Sequence, residues 1–138
     1  MQISLGELQN SLAALQELVK NKFAARTAYR LGRVIKVAEV EIAALRTAHF
    51  ELVQRLGEQE TDSENWTVLT ANLEQFRREL EELLAEQITL PGDPLQIGQL
   101  GECQLEPAGL AVLDWLIVDE ESEPGLVNGK LAESQLNA

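Results

Sequence analysis

The chain has 138 residues, a formal charge of −12, and 45% hydrophobic but only 4% aromatic residues. That length fits one domain with a real core, and a core so poor in aromatics must be built from Leu, Ala, Val and Ile, which favours packed helices. The acidity excludes broad attachment to nucleic acid or anionic lipid. A single Cys (Cys103) excludes an internal disulfide, and a single His (His49) excludes a Cys/His metal cluster, so no cofactor is expected.

The start MQISLGELQN lacks the basic beginning and apolar run of a signal peptide, and no apolar stretch approaches the roughly 18 residues of a membrane span. A cytoplasmic protein is expected. Ser4 and Glu7 have the S-x-x-E spacing of a capping box, which predicts a helix beginning near Leu5. Leu5, Leu8, Leu12, Leu15 and Val19 then form a narrow apolar seam that ends at a hinge, Lys20-Asn21-Lys22.

A second, longer helix is predicted from Phe23 to about Gly57, with Leu31, Ile35, Ala38, Ile42, Leu45, His49, Leu52 and Leu56 as its seam. His49 would fix helix register as a core polar residue. A helix about 50 Å long outruns the first one, so another partner is required. Glu58 to Asn65 reads as a loop, and Trp66-Thr67-Val68-Leu69 as a short strand. A third helix from Thr70 to about Glu86, with Leu73, Phe76, Leu80 and Leu83 inward, is the expected antiparallel partner of the long one.

Further on, Ile88-Thr89-Leu90 and Leu95-Gln96-Ile97 flank Pro91-Gly92-Asp93-Pro94, which predicts a tight β hairpin. Pro107 suits the first turn of a C-terminal lid helix carrying Leu110, Val112, Leu113, Trp115, Leu116 and Ile117. The expected fold class is therefore mainly α: an antiparallel bundle of short, long and third helices, with a small β hairpin and a C-terminal helix. Residues 1–118 form that helical domain, and the acidic tail 119–138, which has no sustained pattern, is expected to be disordered.

The stretches ISLGELQNSLAALQEL, KNKFAARTAYRLGRVIK, NLEQFRRELEELL and LPGDPLQIGQLGECQLEPAGLAVLDWLI come in an order that resembles a family of small, uncharacterised tailed-phage and prophage proteins. The likeness spans residues 3 to 118, and its best marker is Ala25-Arg26-Thr27-Ala28-Tyr29-Arg30-Leu31. The family has no settled activity. The resemblance implies a phage or prophage context and supplies no catalytic residues.

The segment KNKFAARTAYRLGRVIK holds six of the eleven Lys and Arg residues and no Asp or Glu. On a helix, Lys22, Arg26, Tyr29, Arg30, Arg33 and Lys36 fall within one arc about 120° wide, opposite the seam. Such a face can serve three ends. It can be a solvated surface whose charges pair with the acidic third helix or tail. It can dock an acidic protein partner. It can grip a small anion or nucleotide signal, with guanidinium groups on the phosphates and Tyr29 stacked on a base.

Other constellations are weaker. Cys103 and His49 would need to meet for nucleophilic catalysis, and nothing in the sequence brings them together. Neither phosphate-loop nor dinucleotide motif occurs. An acidic DNA mimic that inhibits a host enzyme would need a continuous acidic surface, which the basic stretch interrupts. The expectation is a non-catalytic phage or prophage accessory protein that docks an acidic partner and self-associates, because the long seam exceeds what the other helices cover.

Overall fold

The computed structural model describes residues 1–119, so the expected tail from Glu120 onward lies outside the described residues. Strand β1 (Gln2–Ser4) runs directly into helix α1 (Leu5–Leu18). The capping box forms as the sequence predicts: the Glu7 amide donates to Ser4 Oγ at 3.1 Å, and the Ser4 amide donates to Glu7 Oε1 at 3.1 Å. These bonds satisfy backbone donors that a helix start otherwise leaves open.

α1 buries Leu5, Leu8, Ser11, Leu15 and Leu18, so its inward stripe is rotated from the predicted one: Ser11 and Leu18 go inside, while Leu12 and Val19 are half-buried. The cause is the C-terminal segment on α1's flank. The Trp115 indole N–H donates to Ser11 Oγ at 3.1 Å, and the Ser11 hydroxyl donates to the Glu7 carbonyl at 2.7 Å. A fully buried hydroxyl is thus given both its partners. The hinge is a capped joint, with Asn21 Nδ2 donating to the Glu17 and Leu18 carbonyls and its Oδ1 accepting from the Gln104 amide.

α2 (Ala25–Leu56) is one uninterrupted helix of 32 residues. It buries Leu31, Val34, Ala38, Ile42, Leu45, Leu52 and Leu56, with Val34 inside and Ile35 only half-buried. His49 is half-buried beside Phe76, ring centres 5.9 Å apart. The first five of those residues join Leu5, Leu8, Leu15 and Leu18 of α1 and Leu90, Leu95, Leu113 and Leu116 in a single core. The seam of α2 is therefore covered within the chain and needs no second copy to bury it.

The end of α2 turns into β2 (Gly57–Gln59), which pairs antiparallel with β3 (Trp66–Val68) as a hairpin. The Leu69 amide and the Asn72 side chain both donate to the Leu56 carbonyl. After a 3₁₀ turn, α3 (Leu73–Leu84) packs on α2; none of its residues is fully buried, and Leu73 is 42% exposed. It is a cover over the far half of α2, with half-buried Phe76, Leu80, Leu83 and Leu84 facing inward.

The strands around Pro91-Gly92-Asp93-Pro94 correct the predicted hairpin. β4 (Gln87–Thr89) pairs antiparallel with β1, and β5 (Leu95–Gln96) pairs parallel with β6 (Ile117–Val118). Each strand reaches a distant segment instead of its neighbour: the Leu90 amide donates to the Met1 carbonyl and the Leu95 amide to the Leu116 carbonyl, both at 2.7 Å. Two prolines in the tetrapeptide remove ladder donors, and Gly92, at φ 82°, turns the chain away from a hairpin course.

The expected lid helix is also shorter. α4 spans only Pro107–Val112, after which Leu113 and Leu116 drop into the core and the β-branched pair Ile117-Val118 joins β5.

Two glycines separate steric need from tolerance. A Cβ on Gly57 would strike the Thr67 carbonyl oxygen, whereas a Cβ on Gly32, in the exposed middle of a helical turn, would meet nothing within 4 Å. Gly57→Ala should therefore destabilise the fold by about 1–3 kcal/mol, and Gly32→Ala should stabilise it by about 0.5–1 kcal/mol. Urea unfolding followed by circular dichroism measures both.

Candidate functional site

Four of the six predicted site residues, Arg26, Tyr29, Arg33 and Lys36, stand exposed on the first half of α2, opposite its buried stripe. Tyr29 is 68% exposed. Lys22 precedes the helix, which begins at Ala25, so it extends the basic region without sharing the helical arc. Arg30 lies at the edge, half-buried, and donates from Nη2 to the Asp93 carbonyl at 2.8 Å.

The local electrostatics are one-sided. The N-cap of α2 is Ala24, which supplies no side-chain cap, and the first turn holds no acidic residue. The positive end of the helix dipole and the first arginine then lie together, an arrangement that opposes helix stability and favours a bound anion. No ion pair among the described residues neutralises it. Ion pairs among the described residues join Lys20 to Glu17, Arg55 to Glu79 and Arg77 to Glu74, and none involves Lys22, Arg26, Arg30, Arg33 or Lys36. The acidic third helix sits over the other half of α2, where Glu79 takes Arg55.

That Arg55–Glu79 pair is the clearest electrostatic feature of the surface. Arg55 donates to both Glu79 carboxylate oxygens, at 2.6 and 3.4 Å. The hydrogen bond from Arg55, then that from Gln75, holds the Glu79 carboxyl below its usual range, while the bond to Glu79 raises Arg55.

Concavities are limited near the basic face. A cleft of about 50 Å³ opens between Arg30, Arg33 and the Pro91–Asp93 turn, floored by Leu31, Val34, Leu95 and Leu116. Small-molecule sites usually offer about 300–1,000 Å³, so this cleft admits a single anionic group and not a nucleotide. Tyr29 has no aromatic partner among the described residues.

A larger feature escaped the sequence reading. An open groove of about 930 Å³ runs between α1 and α4, lined by Ala13, Ala14, Glu17, Cys103, Glu106 and Gly109 among others. Its walls come from segments far apart in the chain, so no local pattern announces it. Cys103 is half-buried there, while His49 faces Phe76 on α3, so the two do not meet. Among the described residues no His, Cys, Asp and Glu side chains group as metal ligands, and no helix is long and apolar enough to cross a membrane.

The depressed Glu79 carboxyl predicts a pH dependence. Its contribution to stability is present above the ordinary glutamate range near pH 4.3 and is lost as pH falls through the lowered folded-state value. Glu79→Gln should flatten the acid limb of a stability–pH profile and leave the profile above pH 6 parallel to that of the unaltered chain; thermal unfolding between pH 3 and 8 measures it.

No protein-family model, curated protein or solved structure matches this chain.

Proposed function

We propose that the chain is a non-catalytic accessory protein of a phage or prophage, acting in the cytoplasm, whose basic helix face docks an acidic protein surface. The sequence resemblance supports the context, and the docking role is carried by one observation: five cations gathered at one end of α2 pair with no carboxylate among the described residues. An exposed convex face bearing Arg26, Arg33 and Lys36 suits another macromolecule, where charge steers encounter and fixes partner choice. The same reading takes α1, α2 and α3 as an antiparallel bundle that presents this face, in keeping with the α1–α2 and α2–α3 contacts. It also takes the protein to self-associate.

Sequestration of a nucleotide signal is disfavoured by the size of the cleft beside Arg30 and Arg33. A DNA-mimicking role is disfavoured by the same basic face, which would repel the groove such a mimic must enter.

Binding of a fluorescent oligoglutamate peptide tests the proposal. The unaltered chain should bind it more weakly as salt rises, and combined Arg26→Glu, Arg33→Glu and Lys36→Glu should reduce affinity at least tenfold without lowering the melting temperature. If that variant binds the peptide equally well, the reading is wrong. If instead nucleotides stabilise the unaltered chain, and Arg30→Glu with Arg33→Glu abolishes that effect, the sequestering reading takes its place.

A further inference from the structure

We propose that the outward face of α2 is the interface of a symmetric antiparallel dimer, in which Arg33 and Arg46 of one helix lie against Glu51 and Glu39 of the same helix in a second copy. This rests on the docking role above and names a second copy of the chain as the partner.

The face has the form such an interface needs. Val40 is 66% exposed, Phe50 49% and Tyr29 68%, and Ala43, Ala44 and Thr47 are exposed between them. Val40, Ala43, Ala44 and Thr47 make an uncharged middle whose small side chains let two helices approach closely. Tyr29, Arg33, Lys36, Val40, Ala43, Thr47, Phe50 and Gln54 alternate in steps of four and three, the repeat that keeps one stripe toward a partner. α2 therefore carries a second stripe, opposite the buried one and exposed among the described residues, with Phe50 toward its far end meeting Trp66 of β3 at 6.1 Å between ring centres.

The charges on this face are arranged for a twofold axis. In an antiparallel pair related by such an axis, a residue meets the one equally far beyond the axis, and residues on the same flank face each other. An axis near Ile42 sets Arg33 opposite Glu51 and Glu39 opposite Arg46, each pair opposite in sign and sharing a flank. All four residues are exposed, and none forms an ion pair among the described residues. The next such level would set Arg30 against Arg55, two like charges. Both are drawn aside on their own chain, Arg30 to the Asp93 carbonyl and Arg55 to Glu79. A parallel pair would set Arg33 against Arg33 and Lys36 against Lys36, so the same charges oppose that arrangement.

Sedimentation equilibrium of the full chain, with charge exchange, tests the proposal. Glu39→Arg and Arg46→Glu lie outside the basic cluster, and each should raise the dimer dissociation constant about tenfold, since each alters two symmetry-related pairs. The two together should restore it to within about threefold of the unaltered value. In a Cys103→Ser background, Ala43→Cys, close to the axis, should oxidise to a covalent dimer, and Tyr29→Cys should not.

A chain that is monomeric throughout the micromolar range overturns the dimer, as does an exchange without rescue or self-crosslinking of Tyr29→Cys. A monomer that still binds oligoglutamate through Arg26, Arg33 and Lys36 overturns the dimer and leaves the docking role standing. A charge-dependent dimer whose basic face ignores the peptide supports the interface and overturns the general docking role.

Discussion

Burial of one stripe of α2 is the constraint on which the remaining structure depends. Leu31, Val34, Ala38, Ile42 and Leu45 meet Leu5, Leu8, Leu15 and Leu18 of α1 with almost no surface left to water. Burying a single leucine is worth about 1.5–3 kcal/mol, so this contact supplies the largest share of cohesion in a chain short of aromatics. Its direction matters as much as its size. Once that stripe is inside, the opposite side of the helix, with Arg26, Tyr29, Arg33, Lys36 and Val40, faces outward.

That geometry explains why the charge is segregated. A helix end rich in arginine and lacking an acidic first turn is unfavourable alone, because the cations add to the positive end of the helix dipole. The chain tolerates this in a place where water screens the charges and no carboxylate among the described residues pairs with them. At the far half, the same helix is stitched into its surroundings by Arg55 and Glu79, by Asn72 on the Leu56 carbonyl, and by the close fit of Gly57 against β3. One end of α2 is thus consolidated and the other presented.

The first and last described segments close the fold in a way that reinforces this division. β1 is held by β4, and the amino terminus of Met1 donates to the Leu90 and Gly92 carbonyls. β6 is held by β5, and Trp115 is pinned to Ser11. Segments from both ends of the described chain therefore lie against α1 and the Pro91–Pro94 turn, and the basic end of α2 sits beside that turn through Arg30. The outward face stays clear of all of them.

The local elements were legible in the sequence because their causes are local. The Ser4–Glu7 capping box, the single long run of α2, the Trp66–Val68 strand and Pro107 at a helix start each follow from neighbours within a few residues. The basic face was legible for the same reason: helical spacing alone sets Arg26, Tyr29, Arg33 and Lys36 on one side. Long-range choices were not legible. The strands beside Pro91-Gly92-Asp93-Pro94 were recognisable but their partners were not, since hydrogen bonding to Met1 and Leu116 depends on where segments distant in the chain fold. Ser11 lies in the core with one local partner, the Glu7 carbonyl, and one from 104 residues away, the Trp115 indole. Sequence by itself determined the first, long and third helices and where the positive charge gathers, but not how far the helix after Pro107 runs. Tertiary structure alone decided which strands pair, that the core seam is covered within one chain, and that the third helix places its carboxylates away from the basic end of α2, because each of these depends on residues far apart in the chain meeting in space.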